Sequence, residues 1–233
     1  MSEYRHEFKY ICSEQRLALI ENNIRGLMAC DVHAGEDNRY RIRSLYFDDY
    51  CDSCMKDNIN GNDPREKFRI RIYNQDLSYI RLELKRKERG KTKKSACVID
   101  EALCRRVLSG QPLAMDAVDA DVYRKFCLYQ QVRFLSPKVI VEYERVPYVY
   151  LDGNVRVTFD RNISSGNMVE RFLDEGIVTR PVMPLGQHVL EVKFDELIPD
   201  FLYQAVQLEK MRQTTYSKYY LCRKYSLAGG NRV

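Results

Sequence analysis

Residues 65–94 read REKFRIRIYNQDLSYIRLELKRKERGKTKK, and this stretch decides the fold. Charged and apolar residues alternate in two segments of it, 68–73 and 81–85. Such alternation has the period of a β-strand whose two faces meet different environments. The stretch holds twelve Lys and Arg against four Asp and Glu, a local charge of +8, whereas the whole chain carries only +5. The positive charge is therefore concentrated here, and the pattern predicts a sheet face that binds a polyanion.

The same alternation recurs along the chain and predicts eight strands, at 4–12, 39–47, 68–73, 79–85, 92–99, 138–145, 155–160 and 188–194. Apolar residues at helical spacing predict helices at 14–28, 51–58, 199–211 and 216–225, with Ser13 as the N-cap of the first. A further helical region between 100 and 135 is broken near Gly110 and Pro112. Short connections favour antiparallel pairing, so we expect a single α+β domain over residues 1–233, built around an eight-stranded antiparallel β-barrel with flanking helices.

The composition narrows the class of protein. No apolar run approaches the roughly 20 residues that cross a bilayer, and the first residues lack the apolar core of a signal peptide. We therefore expect a cytoplasmic protein without a membrane segment, and peripheral association with a membrane partner stays open. The eight cysteines are then expected to be reduced thiols. The lone pair Cys51 and Cys54 has no second pair beside it and is interpreted as ordinary thiols rather than a zinc site.

If the strands close into a barrel, the charged faces either coat it or line its interior. Two observations favour the lined interior. The amphipathic helices need an apolar sheet surface to cover, and carboxylates alternate with cations, as Glu83 does with Lys85 and Glu191 with Lys193. Arg and Lys bind phosphate oxygens, while carboxylates hold a divalent metal. The competing interpretation is a solvated, salt-bridged sheet face.

Seven short motifs occur in order over nearly the whole chain: RHEFKY at 5–10, SLYFD at 44–48, FRIRIY at 68–73, LELK at 82–85, VEYER at 141–145, LEVK at 190–193 and YSKY at 216–219. As a series they resemble the VTC domain, the polyphosphate polymerase domain of the vacuolar transporter chaperone family. That family is a branch of the triphosphate tunnel metalloenzymes. The resemblance implies an eight-stranded antiparallel tunnel with basic walls, in which the γ-phosphate of ATP is transferred to a growing polyphosphate chain with a divalent metal.

The resemblance also implies roles for individual residues. The phosphate ligands of the tunnel wall would be Lys9, Arg69, Arg71, Lys85, Lys94, Arg145, Arg156 and Lys193. The catalytic set would be Glu191, Lys193, Arg69, Arg71 and Lys85. Tyr143 would contact the nucleotide phosphates, and Ser217 with Lys218 would close the site from the last helix. Glu191 would hold Mn²⁺ or Mg²⁺, with Glu7 and Glu83 as secondary candidates.

Several alternatives stay open at this point. The wider superfamily begins with a Glu-x-Glu-x-Lys pattern, whereas here Arg5 stands at the first position, which weakens the case for a two-metal hydrolase. Either Glu142 and Glu144 or Tyr143 and Arg145 could face the tunnel. A triphosphatase and a non-catalytic polyphosphate or nucleotide sensor compete with the polymerase. An RNA-binding module is disfavoured because RNP-like aromatic spacing is missing, so we expect no nucleic-acid partner. The choice of metal and the oligomeric state stay undecided.

Overall fold

The computed structural model describes residues 5–32, 34–35 and 37–229. The strands in this part of the chain are β1 (His6–Ser13), β2 (Ala29–Cys30), β3 (Tyr40–Asp48), β4 (Arg65–Tyr73), β5 (Asp76–Glu88), β6 (Lys91–Ile99), β7 (Ser136–Tyr150), β8 (Val155–Gly166), β9 (Arg180–Pro181) and β10 (Gln187–Phe194). The helices are α1 (Glu14–Ile24), α2 (Ser53–Asn60), α3 (Glu101–Leu108), α4 (Asp121–Arg133), α5 (Asp200–Ala205) and α6 (Lys218–Gly229). None of these helices has the length and hydrophobicity that crossing a membrane would require.

Each of the eight predicted strands is present, although Tyr4, where the first was expected to begin, lies outside the described residues. Four strands, β4, β5, β7 and β8, run at least three residues longer than predicted, and the two-residue strands β2 and β9 were not predicted. Ser13 caps α1 as expected, because its side chain accepts a hydrogen bond from the Arg16 amide. The predicted helix at 199–211 is instead the short α5 followed by a 3₁₀ turn, since Gln207 adopts a left-handed backbone conformation between them.

The chain divides into two compact units. The first unit comprises Met1–Arg41, Tyr143–Ile163 and Met183–Tyr216. The second unit comprises Ile42–Glu142, Ser164–Val182 and Ser217–Val233. Strands β3, β7 and β8 contribute residues to both units, which are described separately below.

The first unit contains strands in the order β1-β10-β8-β7, with the short β2 beside β7. The β1–β10 and β10–β8 pairs are antiparallel, and their register places Lys9 opposite Glu191 and Lys193 opposite both Glu7 and Arg156. Helices α1 and α5 pack against the apolar side of these strands, in a core that includes Leu17, Ile20, Val157, Phe159, Leu190, Val192 and Leu202. The charged side chains of β10 alternate with those core residues and therefore lie on its other face.

The second unit contains strands in the order β7-β3-β4-β5-β6, with β9 beside the end of β8. The β3–β4, β4–β5 and β5–β6 pairs are antiparallel. Helices α3 and α4 contribute to the core that covers one face of these strands, and this core includes Leu45, Phe68, Ile70, Leu82, Leu84, Leu103 and Phe126. As the alternation predicts, the opposite face carries most of the charged residues of β4 and β5.

Candidate functional site

The charged face of the second unit is dominated by cations. We call it the cationic face and define it by seven residues of β4, β5 and β6, namely Lys67, Arg69, Arg71, Arg81, Glu83, Lys85 and Lys94. The strand register arranges them in rows across the sheet. Arg69 lies opposite Glu83, and Arg71 lies opposite Arg81. Six of the seven residues are cations, so the face carries a formal charge of +5 at neutral pH.

One row of the cationic face consists of three lysines. Lys85 lies directly opposite Lys67 on one side and Lys94 on the other. Like charges placed directly opposite each other in a sheet are destabilising. The Lys67 ammonium lies over the Tyr219 ring, 4.4 Å from its centroid, and Lys94 reaches the Glu83 carboxylate at 3.1 Å. These contacts reduce the repulsion, and an anion that bridges the three ammonium groups would reduce it further.

Glu83 is the carboxylate around which the cations gather. It is buried, and its carboxylate is 2.6 Å from Arg69 Nη2 and 3.7 Å from Arg81 Nε. Burial alone would raise its pKa, but Arg69, Arg71 and Lys94 outweigh burial and hold the pKa well below its usual value. Glu83 is therefore ionised at neutral pH, and cations already surround its oxygens.

Two other pKa values indicate a strongly positive potential on this face. Burial would raise the pKa of Tyr46, yet Arg69, Arg71 and Lys67 together lower it to about 8. The Tyr46 hydroxyl accepts a hydrogen bond from Arg69 Nη1 at 3.0 Å. Burial lowers the pKa of Lys94 to about 8, with neighbouring arginines acting in the same direction and Glu83 opposing them. In both cases neighbouring positive charges lower the pKa.

The first unit holds a second set of charged residues, centred on Glu191. We call it the Glu191 cluster and define it as Glu191, Arg145, Asp160 and Lys193. The buried Glu191 carboxylate is 3.2 Å from Arg145 Nη2 and 3.0 Å from Lys193 Nζ. Asp160 is completely buried and accepts two hydrogen bonds from Arg145, at 2.6 and 2.8 Å. Burial would lower the pKa of Arg145, but Asp160 outweighs it and the pKa lies well above its usual value.

Three more predicted residues lie near the Glu191 cluster on the neighbouring strands. Lys9 is opposite Glu191 in the β1–β10 register, and its ammonium is 3.0 Å from the Glu7 carboxylate. It also donates to the carbonyl of Tyr216 at 3.2 Å. Arg156 is opposite Lys193 and donates to Asp31 and to the Tyr40 hydroxyl, each at 2.8 Å. The charged side chains around Glu191 thus include nearly as many carboxylates as cations, in contrast to the cationic face.

The four residues at 142–145 lie in different surroundings. Arg145 belongs to the Glu191 cluster, and its guanidinium lies over the ring of the buried Tyr143, 5.3 Å from the centroid. Glu144 instead accepts a hydrogen bond from Asn162. Glu142 pairs with the buried Arg43 at 2.7 Å, within the second unit. Only Tyr143 and Arg145 among the four therefore associate with the Glu191 cluster.

Ser217 and Lys218 stand at the start of α6, in the second unit. The Ser217 hydroxyl accepts from the Tyr220 amide at 3.3 Å, so it caps the helix, and Lys218 is buried in the first turn. The ring of the next residue, Tyr219, packs at a tilt against the Tyr46 ring, with 5.4 Å between the centroids. The beginning of α6 therefore lies beside the cationic face.

The structure thus groups Arg69, Arg71, Lys85, Lys94 and Glu83 on the cationic face. It places Lys193, Arg145, Lys9, Glu7, Arg156 and Tyr143 around Glu191. Four residues of these sites were not predicted: Lys67, Arg81, Tyr46 and Asp160. The first two share the strand parity of Arg69 and Glu83, which is a signal that sequence reasoning could have used. Among the described residues, no three His, Cys, Asp or Glu side chains converge as a metal-binding group.

Comparison with known proteins identifies the type of fold. The family model of the VTC domain matches residues 4–227. No curated protein sequence matches the chain. Among solved structures, HpAC1 from Hippeastrum, described as a putative adenylyl cyclase with a dominant triphosphatase activity, is similar at a TM-score of 0.56 and 12% identity, covering 95% of each chain. The PH1819 protein from Pyrococcus horikoshii OT3 is similar at a TM-score of 0.50 and 17% identity, covering 95% of this chain and 99% of that one.

These identities are low, so the two solved structures indicate the fold alone. Together with the family match, they confirm the predicted fold class. It is an α+β fold of the triphosphate tunnel type, with eight long antiparallel strands and flanking helices.

Proposed function

The chain belongs to the VTC-domain family, and from that membership we propose that it is a metal-dependent phosphotransferase that makes inorganic polyphosphate from ATP. Family membership and the fold support the broader class, an enzyme that acts on triphosphates. The observation that carries the proposal is the cationic face, where six cations share one side of the sheet with the single carboxylate of Glu83. Such an excess of charge is costly without an anion and is repaid when a chain of phosphates binds.

The residues of the cationic face suit phosphate in complementary ways. The guanidinium groups of Arg69 and Arg71 can each hold two phosphate oxygens in a fixed orientation. The row of Lys67, Lys85 and Lys94 supplies point charges that do not require one orientation. A linear chain of equivalent phosphates that must advance after each addition needs both features, because fixed ligands align the reacting phosphate while point charges tolerate movement.

The proposed reaction is a phosphoryl transfer. An oxygen of the terminal phosphate of the growing chain forms a bond to the γ-phosphorus of ATP, the bond between that phosphorus and the β,γ-bridging oxygen breaks, and ADP leaves. The transition state is loose, so alignment and charge neutralisation supply most of the acceleration. No side-chain nucleophile is required, and the arginines and lysines act by binding and orienting phosphates.

The donor set of the first unit fits a divalent metal shared with phosphate. Carboxylate oxygens are the ligands that Mg²⁺ and Mn²⁺ favour, and Mg²⁺ is commonly held by one or two carboxylates plus substrate phosphates. Glu191 would be the principal ligand and Glu7, on the adjacent strand, the second candidate. Glu83 fits this role less well, because three cations, Arg69, Arg81 and Lys94, approach it, whereas two approach Glu191. Bound to Glu191, a divalent metal would offset the negative charge of the γ-phosphate during its transfer.

Two other functions compete with polymerisation. Water in place of the acceptor phosphate would give a triphosphatase, which the activity described for HpAC1 makes a serious alternative. Binding without turnover would give a sensor of polyphosphate or nucleotide. Polymerisation is favoured because the family is that of the VTC domain and because Arg5 replaces the first carboxylate of the wider superfamily's opening pattern.

Incubation of the purified protein with ATP and Mn²⁺ tests the proposal. Polyphosphate resolved on a gel, with ADP formed in step with incorporated phosphate, supports it. Free phosphate without polymer supports the triphosphatase, and tight ATP binding without ADP formation supports the sensor. Glu191→Gln should lower the rate at least a hundredfold while ATP binding measured without metal is retained. Lys224→Ala, an exposed cation of α6, is the matched control and should leave the rate unchanged.

We propose that residues 1–233 act as one polyphosphate polymerase domain whose partners are ATP and polyphosphate rather than nucleic acid. A cytoplasmic location is consistent with its eight free cysteines, since a reducing compartment maintains thiols in that state. Peripheral association with a membrane partner is compatible with this location.

A further inference from the structure

The first turn of α6 places an aromatic ring against the cationic face. The Lys67 ammonium lies 4.4 Å from the centroid of the Tyr219 ring and 5.9 Å from the centroid of the Tyr46 ring. The planes of the two rings are inclined at 38° to each other. A cation within about 6 Å of an aromatic centroid is attracted by the charge distribution of the ring. Tyr219 is therefore the closer of two rings that attract the ammonium group at one end of the lysine row.

A buried carboxylate fixes the Tyr219 side chain in turn. The Tyr219 hydroxyl donates a hydrogen bond to Asp48 at 2.5 Å, and both residues are buried. Asp48 also accepts from the backbone amides of Asp49, Cys54 and Met55, at 2.9, 2.8 and 3.0 Å. Burial raises the pKa of Tyr219 well above its usual value, and the Asp48 carboxylate acts in the same direction. The phenol therefore stays neutral and continues to donate its proton to Asp48.

Other contacts keep α6 in place independently of this hydrogen bond. Arg223, which also lies near Tyr219, is 2.9 Å from the Asp52 carboxylate. The Ser165 hydroxyl donates to the carbonyl of Cys222 at 3.2 Å. A change at Tyr219 should therefore alter the surroundings of Lys67 while the helix remains in place.

The Lys67 ammonium needs such a constraint because of its neighbour in the sheet. Lys85 lies directly opposite Lys67, and like charges in that arrangement repel each other. A lysine carries its charge at the end of a flexible four-carbon stem, so the repulsion can move the ammonium group away. Attraction to the Tyr219 ring opposes that movement.

We propose that Tyr219 is a positioning residue of the cationic face. Its ring, fixed by Asp48, holds the Lys67 ammonium where Lys67 and Lys85 can bind the same phosphate group. This role rests on the proposed function, in which the cationic face binds a chain of phosphates. Neither Tyr219 nor Asp48 needs to contact the substrate.

The variants Tyr219→Leu and Tyr219→Phe form a matched pair. Both lose the hydrogen bond to Asp48, so they share the resulting loss of stability, but only the first loses the ring. In calorimetric titration with tripolyphosphate, without metal, Tyr219→Leu should bind about fivefold more weakly than Tyr219→Phe. Tyr219→Met should match Tyr219→Leu, and its flexible side chain makes it the second variant for the case that Tyr219→Leu does not fold. Tyr220→Leu, roughly 100° further around α6, is the control and should bind as the parent does.

The same pair in a Lys67→Met background separates positioning from a general loosening of the structure. There Tyr219→Leu and Tyr219→Phe should bind tripolyphosphate within twofold of each other, because no ammonium group remains for the ring to hold. Affinities within twofold of each other when Lys67 is present would overturn the positioning role. A fivefold difference that persists in the Lys67→Met background would overturn it as well.

The single variant Lys67→Met distinguishes this inference from the function on which it rests. If Lys67→Met alone bound tripolyphosphate as tightly as the parent, the positioning role would be overturned and the cationic face would be called into question as the phosphate site. If Lys67→Met weakened binding and the two Tyr219 variants did not differ, only the positioning role would fail.

Discussion

Arg69 and Glu83 lie directly opposite each other on β4 and β5, with Arg69 Nη2 2.6 Å from a carboxylate oxygen of Glu83, which is only 1% exposed. This pair holds the cationic face together. Glu83 is its single carboxylate, and Arg81 and Lys94 also approach it. Loss of this one charge would leave the six cations of this face without the carboxylate that three of them approach.

The variant Glu83→Gln tests that role. It keeps the shape of the side chain and removes its charge, so the apo protein should lose about 3 kcal/mol of unfolding free energy, the scale for breaking a buried ion pair. Urea unfolding measures the loss. Tripolyphosphate should raise the melting temperature more for the variant than for the parent, because the ligand replaces the missing negative charge. An equal rise for both proteins would mean that the ligand binds elsewhere.

In the row of Lys67, Lys85 and Lys94, removal of a charge should stabilise the protein, which is the opposite of the effect expected for Glu83→Gln. Lys85→Met should raise the unfolding free energy of the apo protein by about 0.2–1 kcal/mol, because it removes a charge placed between two like charges. The measurement is urea unfolding at low ionic strength, where repulsion is least screened. Lys224→Met, on the exposed surface of α6, is the control and should change stability less. Destabilisation by Lys85→Met would show that Lys85 is a structural ion-pair partner.

Anion affinity should fall as the pH rises through about 8. The pKa values of Tyr46 and Lys94 are both about 8, so above that pH the face gains a phenolate and loses an ammonium charge. A bound anion favours the protonated form of both groups, so binding at pH 8 should take up protons. Calorimetry in two buffers of different ionisation enthalpy measures this uptake. Tyr46→Phe should reduce it, and uptake unchanged in both Tyr46→Phe and Lys94→Arg would contradict the assignment.

Asp160→Asn should lower the free energy of unfolding while the protein keeps its fold. Arg145 donates two hydrogen bonds to the completely buried Asp160, and only Glu191 would remain to neutralise it. Removal of one partner from such a buried pair costs about 3–5 kcal/mol. Thermal unfolding should therefore show a large decrease in melting temperature. A decrease no larger than that of Asp152→Asn, at the exposed turn after β7, would show that the buried pair adds little stability.

Much of the fold could be predicted from local sequence because one physical rule dominates it. Apolar residues that alternate with charged ones require a covered face and a polar face, and β4, β5 and β10 follow this rule. Strand ends were less predictable. The strand β7 continues past Arg145 through Pro147, a residue that usually argues against a strand interior, so its second half escaped prediction.

The site was predictable where its residues share a strand and its pattern, and not where they depend on pairing between strands. Arg69 and Arg71 stand out within one motif. Asp160 does not, because a single acid at the end of a strand is ordinary until the fold brings it to Arg145, 15 residues away. Tyr46 likewise becomes notable only when the β3–β4 register places it opposite Arg69.

The most direct test of the central claim is the affinity of the Lys85→Ala variant for ATP, measured by calorimetry without metal. ATP is chosen because it is the phosphate donor of the proposed reaction. If the cationic face binds the triphosphate, Lys85→Ala should weaken ATP binding at least tenfold without lowering the melting temperature of the apo protein, and Lys85→Arg should restore most of the affinity. ATP binding within twofold of the parent, equal to that of Lys224→Ala, would contradict the account.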